Sequence, residues 1–400
     1  MSSIVYSKDD EKIAKIKESM DKHVVDVLLL RLPENVLYLS GYWPFFGASY
    51  LIFPRDGEPC IIPHQGEEEY AEKSWIKDVR PYGWETIDRM GNYLEESMNI
   101  ISQVMEDRGL NKPGVKIGIE ASAEFIAATF NRREAWGIGQ PTLESLRRTF
   151  NSAVFVDFTN ILYELRSVKT RKEIEILRIV NELADIGLNA FHDKIAEGLT
   201  EAEVAGYVEQ IVTAKGTGYK GIERCIVTAF VMSGDRTSNA FKMFNVHTDK
   251  KLRQGDPVLI ELNVCADGYW SDVTRVYTIG PPTNEIRMAQ ESVLEAQEEA
   301  ISLIKDGESA SRVNNAAFAV LRKKGYGEFI KHRVGHGIGV HLHEPIPAIH
   351  AASKHHLKER MVHSVEPAVY VPHKYGIRIE DIVQVGEKEA ELLTHYARIV

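Results

Sequence analysis

Two spacings of apolar residues alternate along the chain, one of about 3.6 residues and one of two, and they divide it into helices and strands. Residues 8–22 carry apolar positions at helical spacing among lysines and acids, which predicts an amphipathic helix. The run VVDVLLL (24–30) predicts a buried strand, and NVLYLSGY (35–42) and ASYLIFPRDGEPCIIP (48–63) predict further strands, the last with a turn at Asp56-Gly57. Residues 92–109 return to the helical period, and VKIGIE (115–120) to a short strand. Strands and helices alternating in this way make residues 1–162 an α/β domain. The polar stretch 160–172 reads as a linker into a long helix over 170–194. Helical patterns recur at 200–215, 284–305 and 309–324, with strand-rich segments at 223–232, 257–280 and 363–386, so residues 163–400 read as an α+β domain with two long hairpins.

Composition narrows the class. Four hundred residues suit two domains. The net charge of −10, with no basic tail, disfavours nucleic acid and anionic membrane surfaces as partners. No segment reaches the roughly 20 apolar residues of a membrane span, and the N-terminus has no apolar signal core. Cys60, Cys225 and Cys265 are odd in number and widely spaced, which argues against a disulfide frame or zinc ribbon and for reduced thiols in a cytoplasmic protein.

Chemistry enters through the two hairpins. In VLIELNVCADGYWSDVTRVYTI, Glu261 and Asp272 are symmetric about the Ala266–Asp267 bond, which sets them opposite or nearly so, with Cβ atoms about 4.5–5.5 Å apart. In HSVEPAVYVPHKYGIRIEDIVQV, Glu366 and Glu380 are symmetric about His373; Arg378 shares the face of Glu380, and Asp381 takes the other. Like charges facing each other weaken a sheet, and carboxylates in apolar strands must be protonated, paired or bound to metal. Converging pairs call for divalent cations. A third segment, RVGHGIGVHLHEP (333–345), offers His336 among Gly335, Gly337 and Gly339, with His341 and His343 on the same face of any extended continuation.

These segments resemble a known family. GHGIGVHLHEP, MVHSVEPAVYVP, GIRIEDIVQV and GYWSDVTRVYTIG are similar to the ordered signatures of the pita-bread metallopeptidases, the group of prolidase, aminopeptidase P, methionine aminopeptidase and the metal-free creatinase. AEGLTEAEVAGYVEQ resembles the group's early helix-entry segment, and DVLLLRLPENVLYLSGY resembles the N-terminal domain of its prolidase, aminopeptidase P and creatinase branch. The resemblance implies an α/β N-terminal domain, a pita-bread catalytic domain, and two divalent ions (manganese or cobalt, with zinc or iron as further options) held by Glu261, Asp272, His336, Glu366 and Glu380. Asp272 and Glu380 would bridge the ions, Glu261 would hold one, and His336 and Glu366 the other. It further implies hydrolysis of Xaa-Pro bonds in small peptides by a bridging hydroxide, with Glu366 relaying the proton, His343 and Arg378 stabilising the oxyanion and holding substrate, and a homodimer.

The sequence departs from the group's pattern in two places. Glu261 stands where relatives have aspartate, with Asn263 where they have glycine. The histidine that follows a Ser-Gly element in relatives falls on Phe241 counting from Ser233-Gly234, or on Phe244 counting back from Gly255-Asp256, unless His247 reaches in. Phe241 and Phe244 thereby become candidates for an apolar wall of the substrate pocket. These departures motivate a second reading, a family member that binds peptide or protein without cleaving it; a third is a different C–N hydrolase or lyase on the same scaffold, although creatinase relies on the histidine that is missing here.

Overall fold

The structure, a computed structural model, describes residues 3–46, 49–123, 139–242 and 246–399. The chain forms two compact units, Ser2–Arg166 and Ser167–Val400.

The first unit is built on a six-stranded sheet of β1 (Val27–Leu30), β2 (Tyr50–Pro54), β3 (Cys60–Ile62), β4 (Asp78–Val79), β5 (Lys116–Ile119) and β6 (Val154–Asp157), in the order β4-β3-β2-β1-β5-β6. The central β1 pairs antiparallel with β2 and parallel with β5. Helices α1 (Asp10–His23), α2 (Pro33–Ser40), α3 (Glu68–Ala71), α4 (Tyr93–Asp107), α5 (Gln140–Thr149) and α6 (Thr159–Ser167) complete it. Leu28 and Leu30 enter one core with Ile16, Met20 and Leu39, while Val27 and Leu29 enter another with Ile101, Val104 and Leu146. Both faces of β1 are covered, which is why its sequence is an unbroken apolar run.

Two expected elements differ. The segment 35–42 is not a strand; residues 35–40 belong to helix α2, with Pro33 in the first turn and Gly41 as a left-handed C-cap at φ 74°. Those two residues fix the helix ends, and an added Cβ at Gly41 would stand 2.2 Å from the Val5 carbonyl oxygen. The expected linker at 160–172 is helix α6 as far as Ser167, and three residues, 168–170, separate it from the next helix.

The second unit contains α7 (Arg171–Lys194), α8 (Glu201–Gly216), α9 (Asn284–Leu303) and α10 (Ala310–Lys323). Both α7 and α8 begin with a capping box, Thr170 with Glu173 and Thr200 with Glu203. Its strands are β7 (Cys225–Ser233), β8 (Pro257–Ala266), β9 (Tyr269–Thr278), β10 (Gly335–Gly337), β11 (Glu344–Ile349), β12 (Val362–Val365), β13 (Ala368–Val371), β14 (Tyr375–Arg378), β15 (Asp381–Val385) and β16 (Ala390–Leu392). They form three sheets, β7-β8-β9, β11-β10-β12-β15-β16 and the pair β13-β14. Helix α7 packs on β8 and β9, and α9 and α10 bury their alanine- and valine-rich faces in a core with β12 to β15. One bridge, Thr274 to Glu380, ties β9 to the chain entering β15. The acids of both hairpins meet at that junction.

Candidate metal centre

The register of the first hairpin differs from its expected symmetry. Asn263 pairs with Asp272, and Glu261 pairs with Thr274, because the turn consists of Asp267 and Gly268 at φ 46° and 87°. A two-residue turn with both residues at positive φ moves the centre of pairing by one residue and the partner of each position by two. Since side chains alternate with period two, Glu261 and Asp272 stay on one face but lie diagonally, not opposite.

The second hairpin keeps its expected register. Val365 pairs with Asp381 in one sheet and Ala368 with Arg378 in the next, so Glu366 and Glu380 occupy mirror positions where the ladder leaves the first sheet for the second. Relieved of pairing to each other, their backbone N–H groups donate elsewhere, Glu366 to the Val334 carbonyl at 2.7 Å and Glu380 to the Thr274 carbonyl at 3.1 Å.

His336 sits in β10 against this junction. Gly335 and Gly337 are not at positive φ; they permit close approach, since an added Cβ would fall 2.0 Å from the Ser364 carbonyl oxygen or 2.3 Å from that of Ile346. The His336 Nδ1 donates to the Gly337 carbonyl at 3.0 Å. In the neutral ring that leaves the Nε2 lone pair, which faces Asp272 Oδ2 at 3.7 Å and Glu366 Oε1 at 3.6 Å. A ring nitrogen fixed by a carbonyl on its far side is the usual arrangement of a metal-ligating histidine. Asp272 is oriented by Asn263, whose Nδ2 donates to Oδ1 at 2.7 Å, and Glu380 by Thr274, whose hydroxyl donates to Oε2 at 2.6 Å.

Arg378 closes the other side of the site. Its Nη2 contacts Glu261 Oε2, its Nε donates to the Thr274 hydroxyl at 2.9 Å, and its Nη1 donates to the Tyr370 hydroxyl at 3.3 Å. Arg378 was expected to hold substrate. All three of its nitrogens contact protein groups and the residue is buried, so it holds Glu261 and the Thr274 hydroxyl in place. Tyr370 also accepts or donates at His332 Nε2, 2.8 Å away, and His332 Nδ1 lies 3.8 Å from Glu366 Oε2. Sequence reasoning missed Thr274, Tyr370 and His332; the threonine's place opposite Glu261 was legible only with the correct register.

The electrostatics reflect crowding of negative charge. Burial and the charges of Asp272 and Glu366 push the Glu380 carboxyl well above the carboxylate range. Burial also raises Glu261, against the opposing pull of Arg378. Glu366 is pushed up by burial but ends below its ordinary value, because His332, His336, Arg378 and His343 surround it.

Among the described residues, two overlapping groups bring ligand atoms within 4.8 Å of one another: Asp272, His336 and His343, and His336, Glu366 and Glu380. Four of these five side chains were expected here as ligands, and His343, expected at the oxyanion, joins them. Its ring centroid lies 4.4 Å from that of His336, and its side chain is exposed. Glu261, the remaining expected ligand, belongs to neither group because it is paired with Arg378. The donor set fits a divalent cation: hard carboxylate oxygens, one oriented imidazole lone pair, and mutual repulsion that a cation relieves.

The neighbouring expectations resolve as follows. His341 does not continue one extended face with His336; the chain bends at 339–343, and His341 Nδ1 turns to the His343 carbonyl at 3.2 Å. Phe241 stacks near Tyr370, with ring centroids 5.1 Å apart, and keeps 36% of its surface exposed, which makes it an apolar edge of the site. Phe244 lies outside the described residues. The His247 Nδ1 is bound to the Ala229 carbonyl at 3.1 Å. The three cysteines are buried free thiols. No helix among the described residues is long and apolar enough to cross a membrane.

Comparison with known proteins gives the family and the fold. Residues 12–168 match the creatinase/prolidase N-terminal domain, and residues 175–387 match metallopeptidase family M24. An Xaa-Pro dipeptidase of Pyrococcus furiosus is 29% identical over 388 residues, which cover 97% of this chain and 99% of that protein. Among solved structures, an X-Pro aminopeptidase of Thermotoga maritima superposes with a TM-score of 0.79 at 26% identity, covering 97% of this chain and 99% of that one. The prolidase of Pyrococcus horikoshii gives 0.78 at 28% identity over the same shares. The fold is thus the expected one, a creatinase-type N-terminal domain followed by a pita-bread domain, and the chain belongs to metallopeptidase family M24.

Proposed function

We propose that the protein hydrolyses Xaa-Pro bonds in dipeptides or at peptide N-termini, using divalent metal held by Asp272, His336, Glu366 and Glu380, with manganese or cobalt as the preferred ions. The observation that carries this reading is the convergence of three acids, Asp272 and Glu380 buried and Glu366 partly so, around His336. Full-length similarity to proteins named Xaa-Pro dipeptidase supports the substrate class.

Bound metal would supply Lewis acidity and an activated water. The chain's own groups do the rest. Glu366, held ionised by its histidine and arginine neighbours, accepts a proton at Oε2 and returns it to the leaving proline nitrogen. His343, exposed beside His336, donates to the carbonyl oxygen of the scissile bond. Phe241 and Tyr370 form an apolar wall that suits a proline ring. The reading extends to a small peptide as partner, to a reducing cytoplasm, which the three buried thiols support, and to a homodimer, carried over from family resemblance.

A second reading, a family member that binds peptide or protein without cleaving it, is favoured by two observations: Glu261 is paired with Arg378 outside both ligand groups, and Phe241 stands at the expected histidine position. Incubation of the purified protein with a panel of Xaa-Pro dipeptides and longer Xaa-Pro peptides, with manganese or cobalt added, separates the two. Release of proline or of the first residue supports the peptidase; failure with every divalent ion removes it.

A further inference from the structure

The acids of this site are not all equally placed to hold cations. Glu261 is the outlier. It lies in β8 opposite Thr274, and its extra methylene carries the carboxylate to the guanidinium of Arg378. Arg378 cannot readily give it up, because its other nitrogens are fixed by the Thr274 and Tyr370 hydroxyls in a buried setting. The two remaining carboxylates that would have to bridge a pair of ions each present one oxygen to a neutral protein donor. Asn263 Nδ2 sits 2.7 Å from Asp272 Oδ1, and the Thr274 hydroxyl 2.6 Å from Glu380 Oε2. Both candidate ligand groups share His336 and its Nε2 side.

We infer that Arg378 stands in for a second cation, so that this chain binds a single divalent ion at Asp272, His336, Glu366 and Glu380 rather than a pair. The inference rests on the metal-dependent reading above. A fixed guanidinium in contact with Glu261 is a strong competitor for that carboxylate, since charge-assisted hydrogen bonds of this kind are about twice as strong as neutral ones. The Asn263 amide adds a second obstacle, because an ion bridging through Asp272 Oδ1 would have to share that oxygen with a fixed donor. The consequence for chemistry is that one ion must activate water, while the positive charge on the Glu261 side comes from a group that cannot be removed by chelation.

The test is metal content of the whole chain after loading with excess manganese and gel filtration, measured by plasma mass spectrometry alongside the electron paramagnetic resonance spectrum. One ion per chain with the hyperfine pattern of an isolated manganese ion is expected. The double variant Glu261→Asp/Asn263→Gly, with melting temperature monitored to confirm folding, should rise to two ions with an exchange-coupled spectrum. Two coupled ions in the unaltered chain overturn the inference and leave the peptidase reading standing. A folded double variant that still takes up one ion overturns the assignment of Arg378 and Asn263 as the cause. No bound metal at any excess overturns the inference together with the metal-dependent function.

Discussion

The Thr274 hydroxyl donates to Glu380 Oε2 at 2.6 Å while accepting from Arg378 Nε at 2.9 Å. One side chain, fully buried, thus fixes the orientation of an acid in the ligand cluster and of the guanidinium beside it. Thr274→Val keeps the shape and removes the hydroxyl. Partners that orient a metal ligand typically contribute 10–100-fold in metal affinity. Isothermal titration with manganese should show a loss of about 10–100-fold in this variant, with a far-ultraviolet circular dichroism spectrum like that of the unaltered protein.

His336 contributes the single imidazole shared by both ligand groups. His336→Ala should weaken manganese binding by more than the roughly 100-fold expected for an orienting partner, and abolish peptide hydrolysis. The melting temperature in the absence of metal should fall, because truncating a buried ring leaves a cavity and takes the donor from the Gly337 carbonyl.

Asp381 points away from the site and is the centre of a separate buried network. Its carboxylate accepts from Arg275 at 2.6 Å, Thr394 at 2.6 Å, and Gln297 and Arg398 at 3.0 Å. Arg275→Leu leaves that carboxylate with one charged partner in place of two. Breaking a buried pair by removing one member costs about 3–5 kcal/mol, and chemical denaturation should show a loss of that order. Metal affinity should be nearly unaltered, since Arg275 reaches the ligand cluster only through the backbone carbonyls of Thr274 and Glu380.

His363 gives the protein an acid-sensitive step. It is fully buried, its Nδ1 donates to the Ser364 carbonyl at 2.8 Å, and burial lowers its pKa from 6.5 to about 4. A base whose pKa falls on folding stabilises the fold fully above the unfolded value and loses that contribution as pH drops through 6.5 towards 4. A shift of this size corresponds to something on the order of 3 kcal/mol. Melting temperature measured across that window should fall with decreasing pH, and less steeply in His363→Phe.

Much of the site was legible because hairpins obey arithmetic. Glu366 and Glu380 were placed correctly by counting from His373, since an antiparallel ladder conserves the sum of paired residue numbers even where it changes sheet. The same counting misplaced Glu261 and Asp272 by two residues, because the turn centre depends on which residues take positive φ, and Asp267 does so together with Gly268. Helix α2 was misread because a short apolar run fits strand and helix equally; Pro33 and Gly41 were the signals that separate them. The pairing of Glu261 with Arg378 was beyond reach of sequence, as it joins residues 117 positions apart on different sheets.

The most direct test of the account is the metal dependence of turnover on an Xaa-Pro dipeptide. Protein stripped by chelation should be inactive, and stepwise return of manganese should restore proline release in parallel with metal bound, a response absent from His336→Ala. Turnover that persists undiminished after complete removal of metal would contradict the account, because the acids gathered around His336 would then serve some other chemistry.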